Sequence, residues 1–148
     1  MYNELMLKFH SAALIGKIKE QVHNKILSEL SRHHIEGIVP SHGDILVKLY
    51  ENDGLSIKEL AESIRRTQPT VTVLVNKLEQ FGYVERAKQE EDARITSIML
   101  TEKGRALEPV FREVSDALNE TIYGGLTESE SIQLEALLEK VIARFQSS

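Results

Sequence analysis

Between Leu55 and Gly104 the chain reads LSIKELAESIRRTQPTVTVLVNKLEQFGYVER, runs on through AKQEE and closes DARITSIMLTEKG. Few folds accommodate that order of stops and starts. Ser56 and Glu59 form a capping box that opens a short helix with Ile57, Leu60, Ala61 and Ile64 on one face. Thr67 then caps a second helix. It carries Pro69 in its first turn, where a missing N–H costs nothing, and it stops at Gly82. Tyr83 to Lys88 and Ile95 to Leu100 have strand character and flank the charged tip Gln89 to Arg94. Thr101 caps a further helix.

Helix, turn, helix, strand, tip, strand and a new helix start is the order of a winged helix-turn-helix. The expected fold class is mainly α with a small β-hairpin wing, with N- and C-terminal dimerisation helices around that unit. Upstream, Leu7, Leu14, Ile18, Val22, Ile26 and Leu30 recur at helical spacing and predict a helix from Asn3 to His33. Pro40-Ser41 opens the next helix, with Ser41 as the expected N-cap and Ile45, Leu46 and Leu49 inward. Asn52-Asp53-Gly54 is a turn. Downstream, one long helix is expected from Thr101 to about Tyr123. Gly124-Gly125 ends it, and Thr127-x-x-Glu130 is the capping box of the last helix.

Those flanking helices carry more apolar surface than the central unit can cover. Leu134, Leu137, Leu138, Val141, Ile142 and Phe145 need a partner surface, which a two-fold homodimer supplies; folding back on the same chain is the alternative. The expected organisation is a helical dimerisation region from 1–36 and 105–148, and a winged helix-turn-helix lobe from 37–104.

Charge and residue usage narrow the function. With 41% hydrophobic and 28% charged residues, the 148-residue chain has the balance of an ordinary folded domain. The absence of cysteine excludes disulfides, thiolate metal sites and cysteine redox sensing. No apolar run approaches the ~18 residues of a membrane span, and MYNELMLKFH lacks the build of a signal peptide, so a cytoplasmic protein is expected. A net charge of −5 looks unfavourable for binding nucleic acid, but the charge is unevenly placed. Nine acids against five bases lie from Thr101 onward, whereas Ile64 to Leu78 holds Arg65, Arg66 and Lys77 and no acid.

On the helix after Thr67, the stripe Val71, Leu74, Val75 and Leu78 faces inward, leaving Gln68, Thr70, Thr72 and Asn76 off it, with Val73 and Lys77 nearby. Gln and Asn can pair with adenine, and Thr can donate, accept or offer a methyl to thymine. Base contacts are expected to concentrate at Gln68, Pro69, Thr70 and Thr72, because a recognition helix enters the major groove N-terminus first, and Asn76 joins them in the DNA-binding set. Arg94 at the wing tip suits the negative potential of a minor groove, and Asp92 can hold it extended by a charge-assisted pair. Arg65, Arg66, Lys77, Arg86 and Lys88 are expected phosphate contacts as a group.

These residues resemble the MarR (multiple antibiotic resistance regulator) family of transcription factors. The likeness runs through Ser56–Ala61, Thr67–Lys77, Leu78-Glu79-x-x-Gly82-Tyr83-Val84-x-Arg86, Asp92-x-Arg94 and Leu100-Thr101-x-x-Gly104. The resemblance implies an obligate dimer on a pseudo-palindromic operator of double-stranded DNA, with recognition helices in successive major grooves and wing arginines in flanking minor grooves. It further implies, commonly, a cleft for a small aromatic or phenolic effector. Phe9, His10, His42 and Phe111 are the cleft candidates, with core packing as their other role. The five histidines lack the convergence that zinc needs, and no metal or other cofactor is expected. The alternative function is a winged-helix protein-interaction module without DNA binding. No phosphate loop, nucleophile elbow or paired-carboxylate constellation supports an enzyme.

Overall fold

The computed structural model describes residues 8–147. Seven helices and a three-stranded antiparallel sheet account for most of them: α1 (Ser11–Arg32), α2 (Pro40–Glu51), β1 (Leu55–Ser56), α3 (Ile57–Ile64), α4 (Gln68–Gln80), β2 (Val84–Lys88), β3 (Thr96–Leu100), α5 (Glu102–Ala106), α6 (Glu108–Tyr123) and α7 (Glu128–Gln146). The chain divides into two compact units, residues 1–114 and 115–148. No described helix is long and apolar enough to cross a membrane.

The core of the first unit gathers Leu30, Ile45, Leu46, Leu49, Leu60, Val71, Val75, Leu78, Val84, Ile98, Leu100 and Phe111, all buried. Each comes from an apolar stripe at helical spacing or from an inward strand position, so local pattern and tertiary packing agree. In the second unit no residue of α7 is buried; Leu137, Leu138, Val141 and Ile142 are exposed. Helix α1 likewise buries only Glu29 and Leu30, leaving Leu14, Ile15, Ile18 and Leu27 exposed.

Several boundaries differ from expectation, each for a local reason. Helix α1 begins at Ser11, with His10 as its N-cap, so Phe9 and His10 precede the helix rather than lying within it; the proposed stretch Asn3–Leu7 falls outside the described residues. The N-cap of α2 is Val39, not Ser41. Pro40 takes the first helical position, where its fixed φ fits, and the Val39 N–H donates to His42 Nδ1 at 2.9 Å. The single helix expected from Thr101 to Tyr123 is two. Pro109 has no N–H to give the Arg105 carbonyl, so the chain tightens at Leu107, whose N–H reaches the Gly104 carbonyl at 3.2 Å.

The hairpin β2–β3 gains a third strand. Leu55 pairs with Ile98 and Ser56 with Ser97, giving the sheet order β1-β3-β2. Asp53 fastens this edge. Its Oδ1 accepts the Leu100 N–H at 2.9 Å and its own neighbour Gly54 N–H at 3.0 Å, while Arg105 pairs with Oδ2. Tyr50 donates to the Gly104 carbonyl at 2.7 Å, and burial, assisted by Glu108, pushes its phenol far above the ordinary range. The tyrosine is therefore a permanent donor tying α2 to α5.

Candidate nucleic-acid interface

Helix α3 ends in a tight turn that aims α4. Arg65 adopts the left-handed conformation at φ 58° and ψ 48°, and the Arg66 N–H returns to the Ala61 carbonyl at 3.0 Å. A side chain there costs about 1–2 kcal/mol relative to glycine. Thr67 then caps α4 by accepting the Thr70 N–H at 3.3 Å. Arg65, Arg66, Gln68, Pro69 and Thr70 are all exposed around this turn.

Along α4, Val71, Val75 and Leu78 are fully buried and Leu74 is partly so. Asn76, Lys77 and Val73 are exposed, and Thr72 is half-buried. The polar groups on this face are already partly engaged. The Thr67 hydroxyl donates to Thr70 Oγ1 at 2.9 Å, and the Thr72 hydroxyl donates to the Gln68 carbonyl at 3.0 Å. Thr72 is left with its methyl and lone pairs. Lys77 lies over the Phe81 ring at 5.4 Å, which orients its stem without neutralising its charge.

The wing meets α4 through Arg86. Its guanidinium donates to Asn76 Oδ1 at 2.7 Å and to Glu79 Oε1, so the base of β2 is bonded to the C-terminal half of the recognition helix. At the hairpin tip, Arg94 Nε and Nη2 donate to the two Asp92 oxygens, both at 3.0 Å, and the Arg94 N–H also reaches Oδ1. These bonds from Arg94 hold the Asp92 carboxyl below its usual range. The Arg94 side chain is 91% exposed despite them. Lys88 is exposed on β2.

Gln68, Pro69, Thr70 and Asn76 are thus exposed on α4, and Thr72 is half-buried between them. Arg65 and Arg66 stand at its N-terminal edge, and Asp92 and Arg94 stand apart at the tip of the wing. One part of this arrangement escapes sequence reading. Glu79 joins Asn76 and Arg86 only after β2 folds back, and no local pattern announces that. Val73 was readable from the helical wheel as an apolar residue off the buried stripe.

The four residues considered for an effector are placed differently. Phe9 and His10 are exposed ahead of α1. His42 is buried as the acceptor for Val39, and burial, with the Lys77 charge added, lowers its pKa. Phe111 is buried with its ring centroid 6.3 Å from that of Tyr50.

Residues 38–96 match the family model described as the MarR family. The chain is 32% identical over 96 residues to the HTH-type transcriptional regulator YybA of Bacillus subtilis, a match covering 65% of this chain and 64% of that one. It is 37% identical over 97 residues to the HTH-type transcriptional regulator TtmR of Methylorubrum extorquens, covering 66% and 47%. The chain therefore spans less than two thirds of the length of either relative. Among solved structures, the MepR–DNA complex of S. aureus superposes with a TM-score of 0.83 at 29% identity, over 92% of this chain and 98% of that one.

Proposed function

The chain belongs to the MarR family, and on that premise we propose that it is a homodimeric, sequence-specific DNA-binding transcriptional regulator acting as a repressor. Helix α4 enters the major groove, and Gln68, Pro69, Thr70, Thr72 and Asn76 face the bases. Arg94 enters the adjacent minor groove, and Asp92 holds it there. Arg65, Arg66, Lys77, Arg86 and Lys88 meet phosphates.

One observation carries this reading: an arginine bonded at both ends of its fork to Asp92 yet 91% exposed at a hairpin tip. An exposed ion pair contributes little to stability, so its use is to pre-organise a projecting guanidinium. The acid-free stretch from Ile64 to Leu78, which includes all but the last two residues of α4, agrees with it. The lobe covers 37–104 in this reading, and 1–36 with 105–148 form the dimerisation region. Its support is the exposed apolar residues of α1 and α7, which a second copy would cover. A pseudo-palindromic operator follows from the two-fold axis. Release by a small aromatic or phenolic effector belongs to the same reading, with Phe9, His10, His42 and Phe111 as the side chains through which it would act.

Selection of bound duplexes from a random pool tests the reading. Enrichment of an inverted repeat is expected. Recovery of no sequence at low salt would sink it and favour a protein-interaction module.

A further inference from the structure

Val73 is the one exposed large hydrophobic residue on α4 among the described residues, at 68% exposure. Successive residues of a helix turn by about 100°. Measured from the buried trio Val71, Val75 and Leu78, Val73 lies within about 15° of the opposite pole, Pro69 within about 30° and Asn76 within about 50°. Gln68 and Thr72 stand well to the side. The centre of the outward face is therefore an isopropyl group beside a proline ring, flanked by the Thr72 methyl.

Val73 is the sixth residue of α4, within the N-terminal half that a recognition helix presents to base edges. Asn76, one turn on, has Oδ1 occupied by Arg86. That bond uses one of the two Oδ1 lone pairs and leaves the amide's two N–H donors available to a base-edge acceptor. An apolar group next to a donor matches thymine, whose major-groove edge presents a methyl and the O4 acceptor.

We propose that Val73 is a specificity-determining residue that reads a thymine methyl in each operator half-site, an inference that rests on the DNA-binding reading above. In this arrangement Arg86 acts as a positioning residue for Asn76.

The test uses the full chain and the duplex selected from a random pool. Each thymine is replaced in turn, symmetrically in both half-sites, by deoxyuridine, which removes only the methyl. Affinity should fall about three- to fivefold per half-site at one position, the scale of one buried methyl group. The Val73→Ala protein should bind the thymine and deoxyuridine duplexes equally at that position. The proposal is overturned if the parent tolerates deoxyuridine everywhere, or if Val73→Ala keeps the same penalty, while selected DNA is still bound. If the parent selects no duplex at all, the DNA-binding reading itself falls, a result distinct from either.

Discussion

Arg86 on β2 and Asn76 on α4 are joined by a 2.7 Å hydrogen bond across the angle between wing and recognition helix. The same guanidinium holds Glu79, one turn further along α4. Only a planar fork reaches both acceptors, so lysine is not an equivalent. Arg86→Lys should keep the charge and still weaken operator binding, because Asn76 is released and the wing loses its brace. Stability should change by less than about 1 kcal/mol, since the pair lies at the surface and remains partly exposed. Anisotropy titrations beside thermal melts would decide; equal affinity for both proteins would assign Arg86 to charge alone.

Arg94→Ala should reduce operator affinity about tenfold and leave the melting temperature unchanged, as for a surface substitution. Asp92→Asn should have a smaller effect of the same sign, because Arg94 remains but loses its orientation. A gel-shift series with all three proteins checks the ranking. Parent-like binding by the alanine variant would remove the wing from the interface.

Arg65 sits in the left-handed region, where glycine is unstrained. Arg65→Gly relieves about 1–2 kcal/mol of backbone cost and gives back about 0.4–1 kcal/mol through a more flexible unfolded chain. The variant should therefore match the parent in stability or exceed it by up to about 1.6 kcal/mol, while its DNA affinity falls. The dependence of binding on salt should also flatten by about one unit in slope. A stable variant with unchanged affinity would mean that Arg65 serves the turn and nothing else.

His42 is buried, and its Nδ1 accepts a hydrogen bond that a protonated ring cannot accept. Its folded pKa lies below the ordinary value of 6.5, chiefly from burial and then from the Lys77 charge. Below that ordinary value the unfolded chain takes up the proton first. The stabilisation is therefore complete above pH ~6.5 and is lost as pH falls toward the folded pKa. Melting temperature should decline from pH 7 to 5 more steeply for the parent than for His42→Asn, which keeps an acceptor and cannot titrate. Parallel curves would dissociate His42 from the acid sensitivity.

Gly104 has no room for a methyl. A Cβ built there would lie 2.1 Å from the Tyr83 carbonyl oxygen, a backbone atom that cannot swing aside. Gly104→Ala should destabilise by about 3 kcal/mol, at the upper end of overpacking effects, and should lower DNA binding only through loss of folded protein. Denaturant unfolding measures it directly.

The capping residues show why much of the fold was legible. Ser56, Thr67, Thr101 and Thr127 each cap the helix that the sequence assigns them, because a cap is an interaction between residues three apart. Pro40 takes the first helical position instead of preceding the cap, and the helix expected from Thr101 to Tyr123 ran through Pro109, whose missing N–H divides it. The strand Leu55–Ser56 was invisible, since two residues carry no alternation and their order comes from Ile98 and Ser97 on another strand.

The sequence by itself determined the helix order, the inward stripe Val71, Val75 and Leu78, and the Asp92–Arg94 spacing, all set by local periodicity and contacts a few residues long. Only the tertiary structure decided that Arg86 holds Asn76 by its oxygen and that Asp53 fastens β3 and α5. Such contacts join residues brought together by packing, and their geometry depends on where the core places each backbone.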